Sequence, residues 1–251
     1  MPQASKPPRF YVSPEETGGA AFSPATEILL PATEAHHAAH VLRLREGDAV
    51  ELFDGLGGSA VGRISRIGRR ETTVTVDELR PAAPRPQPVI HLAFAMPKGA
   101  RLDWLIEKAT ELGAASLRPV LFERSAVRAD ELSPAKRAKW LGHCIAAAKQ
   151  SGLNFLPVLS EPADLASAAA RAQPGLYGDL AADSQPLAEA IARLAGSKAV
   201  TILVGPEGGI TDGERETLRA AGLVAVHLGH TTLRIETAAI ALVAATLALL
   251  R

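Results

Sequence analysis

The sequence predicts an α/β protein in which a small β domain precedes a larger domain built on a parallel sheet. Short apolar runs separated by turn residues fill residues 1–80 of the 251-residue chain. Residues 81–88, PAAPRPQP, should form an extended linker because proline fixes φ and has no N–H donor. Over residues 89–251, strand-like runs alternate with helical patterns. That alternation is typical of a parallel sheet covered by helices.

In the N-terminal domain the pattern predicts a small barrel of short strands with one helix. Turn signals such as Asp54-Gly55 and Gly57-Gly58 separate the apolar runs. The helix is expected where the sequence reads AHHAAHV, at residues 35–41. The strands are expected over residues 9–12, 27–30, 49–53, 59–64 and 72–76.

The first part of the C-terminal domain is expected to alternate strands and helices up to residue 194. Gly113 should close the first of these helices, and Ser133-Pro134 should open the second, since proline suits the first helical position. The expected strands are residues 89–95, 117–122 and 176–178, and the expected helices are residues 101–112, 134–150, 164–171 and 186–194.

Residues 199–240 carry the most informative pattern of the chain. An apolar, β-branched run over residues 200–204 predicts a buried strand, which ends abruptly in the sequence GPEGG. Thr211 and Glu214 then have the spacing of a capping box. A helix should therefore begin at this point, and it should end near Gly222.

A second strand is expected over residues 223–228, broken by Gly229. A short loop then leads to a final helix over residues 236–250. Two strands would thus each end in a glycine-containing loop, in the crevice where open parallel sheets bind ligands. The alternative is that both loops are ordinary strand-to-helix turns, which are common. GPEGG matches neither the P-loop nor the dinucleotide-binding pattern.

Composition limits the classes of function. Lys+Arg and Asp+Glu are both 27, so the net charge is zero and any nucleic-acid site must be a local patch. The single Cys144 excludes an intramolecular disulfide framework and a cysteine-based zinc cluster, and it should be a buried structural thiol. Because no signal pattern opens the chain and no apolar run reaches the ~18–20 residues of a membrane span, we expect a cytoplasmic protein.

Two clusters of polar residues lie in the N-terminal domain. Four arginines surround one predicted hairpin and could contact the phosphates of a nucleic acid, although charges also protect exposed hairpin edges from aggregation. Three histidines lie in the predicted helix, and two of them, four residues apart, would share one face as metal ligands can. No further ligand is evident at a suitable spacing, so we expect these histidines to cap or pack the helix and not to bind a metal. The arginines are Arg63, Arg66, Arg69 and Arg70, and the histidines are His36, His37 and His40.

GPEGG followed about twenty residues later by LGHTTLRIETA resembles the SPOUT-class, trefoil-knot RNA methyltransferases. Within that class the chain is similar to the RsmE family, which methylates N3 of a uridine in small-subunit (16S) ribosomal RNA. The resemblance implies a SPOUT α/β knot domain over residues 89–251 that binds S-adenosyl-L-methionine. It also implies a PUA-like β-barrel over residues 1–80 that helps to hold RNA.

Further segments are similar to the same family. RFY at residues 9–11, HHAAHVLRLREGD in the first domain, Lys98-Gly99 and EKATELG at residues 107–113 all resemble its motifs. KQSGLN departs from the family's EQSGRN twice, with Lys149 in place of glutamate and Leu153 in place of arginine.

Uridine N3 carries a weakly acidic proton, so an enzyme must remove it or stabilise the charge that develops on O2 and O4. Arg234 is the best candidate for placing charge near these oxygens or near the cofactor carboxylate, and the alternative is a salt bridge. Glu236 is a second candidate, although a carboxylate at a helix start also stabilises free N–H groups. Arg9 is a third, arriving from the other domain or from a partner subunit.

The resemblance and the two loops together assign the binding residues. Glu207 could instead hold a loop N–H. The expected cofactor-binding residues are Leu203, Gly205, Glu207, Gly208, Gly209, Leu228, Gly229, Leu233 and Arg234, and the expected RNA-binding residues are Arg9, Arg43, Arg63, Arg66, Arg69 and Arg70.

The last helix is apolar nearly all round, which predicts burial on all sides. A two-fold homodimer would bury it, as would a place in the core of one subunit. The expected partners are thus small-subunit ribosomal RNA, free or in the assembled 30S subunit, and a second copy of the chain. Two functional alternatives stay open. One is a SPOUT methyltransferase acting on transfer RNA or another rRNA base, and the other is a non-catalytic RNA-binding protein of ribosome assembly.

Overall fold

The computed structural model describes residues 6–15, 22–68, 71–82, 84–127, 132–172 and 174–250. The chain forms two compact units, and the division between them falls at Arg85 and Pro86. Ala148–Leu156 returns to the first unit. The sequence placed that segment in the second domain, and the difference arises from contacts with residues far away along the chain.

The first unit contains a five-stranded sheet in the order β1-β3-β4-β5-β2. Its strands are β1 (Arg9–Tyr11), β2 (Glu27–Leu29), β3 (Ala49–Phe53), β4 (Ser59–Ile67) and β5 (Thr72–Arg80). The pair β1–β3 is parallel and the other pairs are antiparallel. All five predicted strands are confirmed, with β4 and β5 longer than expected.

One helical segment accompanies this sheet, as predicted, but its geometry is unusual. Helix α1 (Ala32–His36) begins three residues earlier than expected and continues into a π-helical turn, His37–Val41. Alternate strand residues such as Phe10, Leu52 and Val74 are fully buried and form the core of this unit. The period-two pattern of the sequence therefore marks the buried face of the sheet.

The second unit is built on a wholly parallel sheet in the order β11-β13-β10-β12-β6-β7-β8, with β9 beside β7. Its strands are β6 (Val89–Phe94), β7 (Ser116–Leu121), β8 (Val158–Leu159), β9 (Ala163–Asp164), β10 (Gly175–Gly178), β11 (Gln185–Pro186), β12 (Ala199–Val204) and β13 (Val224–His227). Its helices are α2 (Ala100–Glu111), α3 (Pro134–Ser151), α4 (Leu165–Ala170), α5 (Leu187–Ala192), α6 (Asp212–Ala220) and α7 (Ile235–Leu249), of which α3 ends in residues that belong to the first unit.

The predicted elements of this unit are confirmed, and three strands were missed. Each of β8, β9 and β11 is two residues long, which is too short for any periodicity to reveal. The strand order places β10 between β13 and β12. Because all three run in the same direction, their carboxyl ends lie side by side at one edge of the sheet.

Helix α7 is buried on one side and half-exposed elsewhere. Ala239, Leu242 and Val243 are buried, whereas Ile240 and Leu247 are only partly covered. The prediction of burial on all sides is therefore wrong for the single chain, because α2, α5, β6 and β12 cover only part of the helix. Within the described ranges, no helix combines the length and apolarity that a membrane span requires.

Candidate functional site

A pocket of about 550 Å³ lies where β10, β12 and β13 end. Three loops and one side of α7 line it. We call them the β10 loop (residues 178–180), the GPEGG loop (residues 205–209) and the β13 loop (residues 228–234). The helix contributes small and apolar side chains, among them Ala238, Ala241 and Leu242. The arrangement is a concave, largely apolar site at the carboxyl edge of a parallel sheet, which is typical of small-molecule binding.

The GPEGG loop has a conformation that its glycines make possible. A Cβ on Gly205 would lie 2.7 Å from Cγ1 of the buried Ile210, closer than van der Waals contact permits. Gly209 has φ of +80°, in the left-handed region that favours glycine. Arg124 donates a hydrogen bond of 3.0 Å to the carbonyl of Gly208. The loop is therefore shaped by the chain itself and presents its backbone to the pocket.

The capping box predicted after this loop is confirmed. The Thr211 hydroxyl accepts from the backbone N–H of Glu214, and the Glu214 carboxylate accepts from the backbone N–H of Thr211. Glu214 also accepts a 2.7 Å hydrogen bond from the backbone N–H of Glu123. The Glu214 carboxylate thus links the start of α6 to the segment that follows β7. Because α6 begins directly after the GPEGG loop, this link also fixes the end of that loop.

The β13 loop carries the strongest catalytic candidate of the sequence. Arg234 is the N-cap residue of α7 and is exposed. Among the described residues its side chain makes no hydrogen bond or ion pair, so the alternative of a salt bridge is not observed there. Arg234 itself is not part of the pocket wall, but its neighbours Leu233 and Ile235 are. Among the described residues, nothing therefore pairs with this guanidinium, which belongs to a residue directly beside the pocket wall in the sequence.

The β10 loop was missed by the sequence reasoning. Asp179 lies in the pocket wall and forms an ion pair with Arg215 of α6, with 2.7 Å between Oδ2 and Nε. Its Oδ1 accepts from the backbone N–H groups of Leu180 and Ala181. The hydrogen bond from Arg215 to Asp179 raises the pKa of that guanidinium. The expected strand over residues 176–178 was the available signal, but its place beside β12 depends on a strand order that no local pattern shows.

Six of the nine predicted cofactor-binding residues line the pocket: Gly205, Glu207, Gly209, Leu228, Gly229 and Leu233. The others do not. Leu203 is fully buried within β12, Gly208 turns its carbonyl to Arg124, and Arg234 lies next to the wall. The wall also contains Pro206, Thr231 and Thr232, which belong to the two loops predicted to line the pocket. The pocket residues that the sequence reasoning missed are Gly178, Asp179, Leu180, Val204, Ile210, Val226, His227, Ile235, Thr237, Ala238, Ala241 and Leu242.

Glu236 lies in the first turn of α7 and is only 8% exposed. It is outside the pocket wall, which does not favour its predicted role as a group that meets substrate. Its Oε1 lies 3.9 Å from Nη1 of Arg101, and the same Nη1 is 2.5 Å from Oε1 of Glu207. Glu207, in contrast, faces the pocket and is half-exposed.

Arg9, which the sequence suggested as a catalytic and RNA-binding residue, lies at the start of β1 in the first unit. Its side chain is 10% exposed and donates to the carbonyls of Ala148 and Leu153, at 2.9 and 3.2 Å, and to Oδ1 of Asn154. It also forms an ion pair with Glu51, and burial lowers the pKa of its guanidinium. These groups occupy the side chain, so we assign Arg9 to binding the returning segment Ala148–Leu156 to the first unit.

The same segment explains one departure from the family pattern. The ammonium group of Lys149 lies 2.7 Å from a carboxylate oxygen of Glu34, and both side chains are largely buried. The carboxylate of Glu34 thus balances the positive charge of Lys149 within the first unit. At position 153 the backbone carbonyl of Leu153, not its side chain, makes the contact with Arg9.

The remaining predicted RNA-binding arginines differ in their surroundings. Arg43 is exposed and has φ of 53°, directly after the π-helical turn and Leu42. Arg66 is exposed on β4, and Arg63 pairs with Asp77 at 3.2 Å. Arg69 and Arg70 lie outside the described residues.

The predicted histidine cluster is exposed in part, whereas the single cysteine is buried. The rings of His36 and His40 lie 4.8 Å apart and are exposed. In the part of the chain that the structure describes, no group of three or more His, Cys, Asp or Glu side chains is placed to hold a metal. Cys144 is buried, as expected, and burial raises the pKa of its thiol to about 11.

Comparison with known proteins adds two family matches. The RNA methyltransferase domain model matches residues 84–247, and the RNA methyltransferase PUA domain model matches residues 30–77. Ribosomal RNA small subunit methyltransferase E of Bacillus subtilis is 30% identical over 82% of this chain and 83% of that protein. The protein of the same name from Synechocystis is 32% identical over 92% of this chain and 74% of that protein.

Solved structures agree with these matches. Ribosomal RNA small subunit methyltransferase E from Neisseria gonorrhoeae, bound to S-adenosyl methionine, has a TM-score of 0.83 with 30% identity and covers 97% of this chain and 98% of its own. A Legionella pneumophila methyltransferase with bound cofactor also has a TM-score of 0.83, with 28% identity and the same coverage. The predicted class, a SPOUT α/β domain after a PUA-like domain, is confirmed.

Proposed function

Because the chain belongs to the ribosomal RNA small subunit methyltransferase E family of RNA methyltransferases, we propose that it transfers a methyl group from S-adenosylmethionine to N3 of a uridine in small-subunit ribosomal RNA. The observation that carries this proposal is the pocket at the ends of β10, β12 and β13 in a chain of this family. Because bacterial ribosomal subunits are assembled in the cytoplasm, we propose that the protein acts in that compartment.

The pocket fits S-adenosylmethionine in size and chemistry. Its volume of about 550 Å³ is in the range of small-molecule sites. The exposed rim leucines Leu180, Leu228 and Leu233 offer flat apolar contact, and the backbone at Gly205 and Gly229 can approach a ligand closely. Once bound, the cofactor supplies a methyl group activated by its positively charged sulfur.

The chain's own contribution is to hold the uracil and to stabilise its charge. The guanidinium of Arg234, unpaired among the described residues and next to the pocket wall, suits the O2 and O4 oxygens on which negative charge develops when N3 loses its proton. We do not give this task to Arg9, whose guanidinium is occupied by contacts within the first unit, or to Glu236, which is buried and is not part of the pocket wall. We therefore give Arg234 the catalytic role and assign no residue as general base.

Methyl transfer with purified components tests this proposal. The chain is incubated with methyl-labelled S-adenosylmethionine and, separately, with small-subunit rRNA, assembled 30S subunits, large-subunit rRNA and transfer RNA. Label is expected only in the small-subunit samples, and nucleoside digestion should yield N3-methyluridine. Label in transfer RNA would favour the alternative of a SPOUT methyltransferase that acts on transfer RNA. Cofactor binding without transfer to any sample would favour a non-catalytic assembly protein.

We propose that exposed arginines of the first unit hold RNA phosphates. Replacing Arg43 and Arg66 together by glutamine should weaken RNA binding and make it less dependent on salt, since each lost contact lowers the log–log slope by roughly 0.7–0.9. Fluorescence anisotropy over a salt series measures the slope. The charge-matched control replaces Arg171 and Arg193, which are exposed on the second unit. A slope that is equal in both double variants would contradict the assignment.

We also propose a homodimer that covers the half-exposed side of α7. Ile240, Ala244 and Leu247 are partly covered apolar residues at helical spacing. The wild type should sediment as a dimer at micromolar concentration, and Leu247→Glu should sediment as a monomer because an interface cannot bury an unpaired carboxylate. Leu79→Glu, on β5, is the matched control and should stay dimeric. A monomeric wild type would remove this part of the proposal.

A further inference from the structure

One arginine of α2 lies within reach of two carboxylates. Nη1 of Arg101 is 2.5 Å from Oε1 of Glu207 and 3.9 Å from Oε1 of Glu236. The three side chains differ in exposure, which is 31% for Arg101, 47% for Glu207 and 10% for Glu236. The arginine thus makes its short contact with the exposed pocket carboxylate and only a long ion pair with the buried one.

Glu236 is incompletely satisfied in this arrangement. Its Oε2 is buried, and among the described residues it has no hydrogen-bond partner. A buried polar atom without a partner is costly, and guanidinium is well suited to a carboxylate because its donors form a fork. A movement of about 1 Å would bring Nη1 into hydrogen-bond range of Oε1. A second arrangement, in which Arg101 is hydrogen-bonded to Glu236, therefore requires only a small movement of the arginine side chain.

Only Glu207 of the two carboxylates belongs to the pocket wall. While Arg101 is bound to it, the guanidinium occupies the Oε1 of this carboxylate. S-adenosylmethionine carries two positive groups, the sulfonium and the α-ammonium, and either would gain from a free carboxylate in a partly desolvated site. Arg101 and the cofactor therefore compete for Glu207, and Glu236 offers the arginine another partner.

We propose that Arg101 is a positioning residue that exchanges Glu207 for Glu236 when the cofactor binds, so that Glu207 receives a positive group of the cofactor. This inference rests on the proposed function, since it requires S-adenosylmethionine in the pocket. The exchange would also explain why Glu236, a buried carboxylate outside the pocket wall, has an oxygen without a hydrogen-bond partner among the described residues.

Calorimetric titration of the full chain with S-adenosylmethionine tests the exchange. Glu207→Gln should weaken binding about tenfold, the value of one charge-assisted hydrogen bond. Glu236→Gln should also weaken binding, although it does not line the pocket, because Arg101 then stays on Glu207. Arg101→Gln should bind at least as tightly as wild type, since the competitor is gone. Adding Arg101→Gln to Glu236→Gln should restore the lost affinity.

A neutral ligand and a surface variant serve as controls. 5′-Methylthioadenosine lacks both positive groups, so all these variants should bind it like the wild type. Glu216→Gln, on the exposed side of α6, should change neither affinity. The neutral ligand also reports whether each variant retains a folded pocket.

Two results would overturn the exchange while leaving the proposed function intact. The first is wild-type affinity for S-adenosylmethionine in Glu236→Gln. The second is a loss of affinity for both ligands in Arg101→Gln, which would make the arginine a plain support of the GPEGG loop. If the wild type binds no S-adenosylmethionine at all, the proposed function fails, and the exchange fails with it.

Discussion

Arg234→Ala is expected to lower the rate of methyl transfer at least about a hundredfold, which is the effect of removing one preorganised charge at a developing anion. Cofactor affinity should change little, because the Arg234 side chain is not part of the pocket wall. Its guanidinium makes no hydrogen bond or ion pair within the described part of the chain, so its removal leaves no group there unpaired. The fold should therefore survive the change.

Single-turnover transfer to small-subunit rRNA at saturating RNA and cofactor measures this effect. Arg234→Lys should recover part of the rate, because it keeps the charge but loses the planar fork. Arg193→Ala is the matched control, since Arg193 is exposed, lies outside the pocket wall and makes no side-chain hydrogen bond or ion pair among the described residues. Transfer by Arg234→Ala at the wild-type rate would show that the charge is supplied by another residue.

Gly205→Val should weaken cofactor binding about tenfold to a hundredfold. The added side chain would start 2.7 Å from Cγ1 of Ile210, which is 4% exposed and cannot move away freely. The GPEGG loop would have to shift, and its backbone would no longer face the pocket in the same way. Transfer should fall in parallel at low cofactor concentration and recover in part when the cofactor is saturating.

Gly213→Ala is the matched control for this variant. Gly213 is exposed in the first turn of α6, and a Cβ there meets nothing within 4 Å. It should bind the cofactor like the wild type and be slightly more stable to heat, since alanine reduces the entropy of the unfolded chain. Equal cofactor affinity in Gly205→Val and Gly213→Ala would contradict the position that we give to the GPEGG loop.

The elements around the site could be predicted because their signals are local. The strand β12, the capping box of Thr211 and Glu214, and the strand β13 each depend on residues a few positions apart. The two glycine-containing loops followed from these elements. Pairing of the GPEGG and LGHTTLRIETA motifs then identified the family, which no periodicity could have done.

The parts that could not be predicted depend on contacts that are distant in sequence. The β10 loop belongs to the site only because β10 pairs with both β12 and β13. Arg9 donates hydrogen bonds to Ala148, Leu153 and Asn154 only because Ala148–Leu156 returns to the first unit. The composition of α7 indicated burial but not which side of the helix this chain covers. Arg101, far from Glu207 and Glu236 along the chain, carried no signal at all.

The central claim is that this chain methylates N3 of one uridine in small-subunit ribosomal RNA. The most direct measurement is mass-spectrometric mapping of modified nucleosides in ribosomal RNA from cells with and without the protein. One N3-methyluridine should disappear from small-subunit rRNA when the protein is absent, and it should return with the wild-type chain but not with Arg234→Ala. An unchanged N3-methyluridine in cells that lack the protein, or the loss of a different modified nucleoside, would contradict the claim.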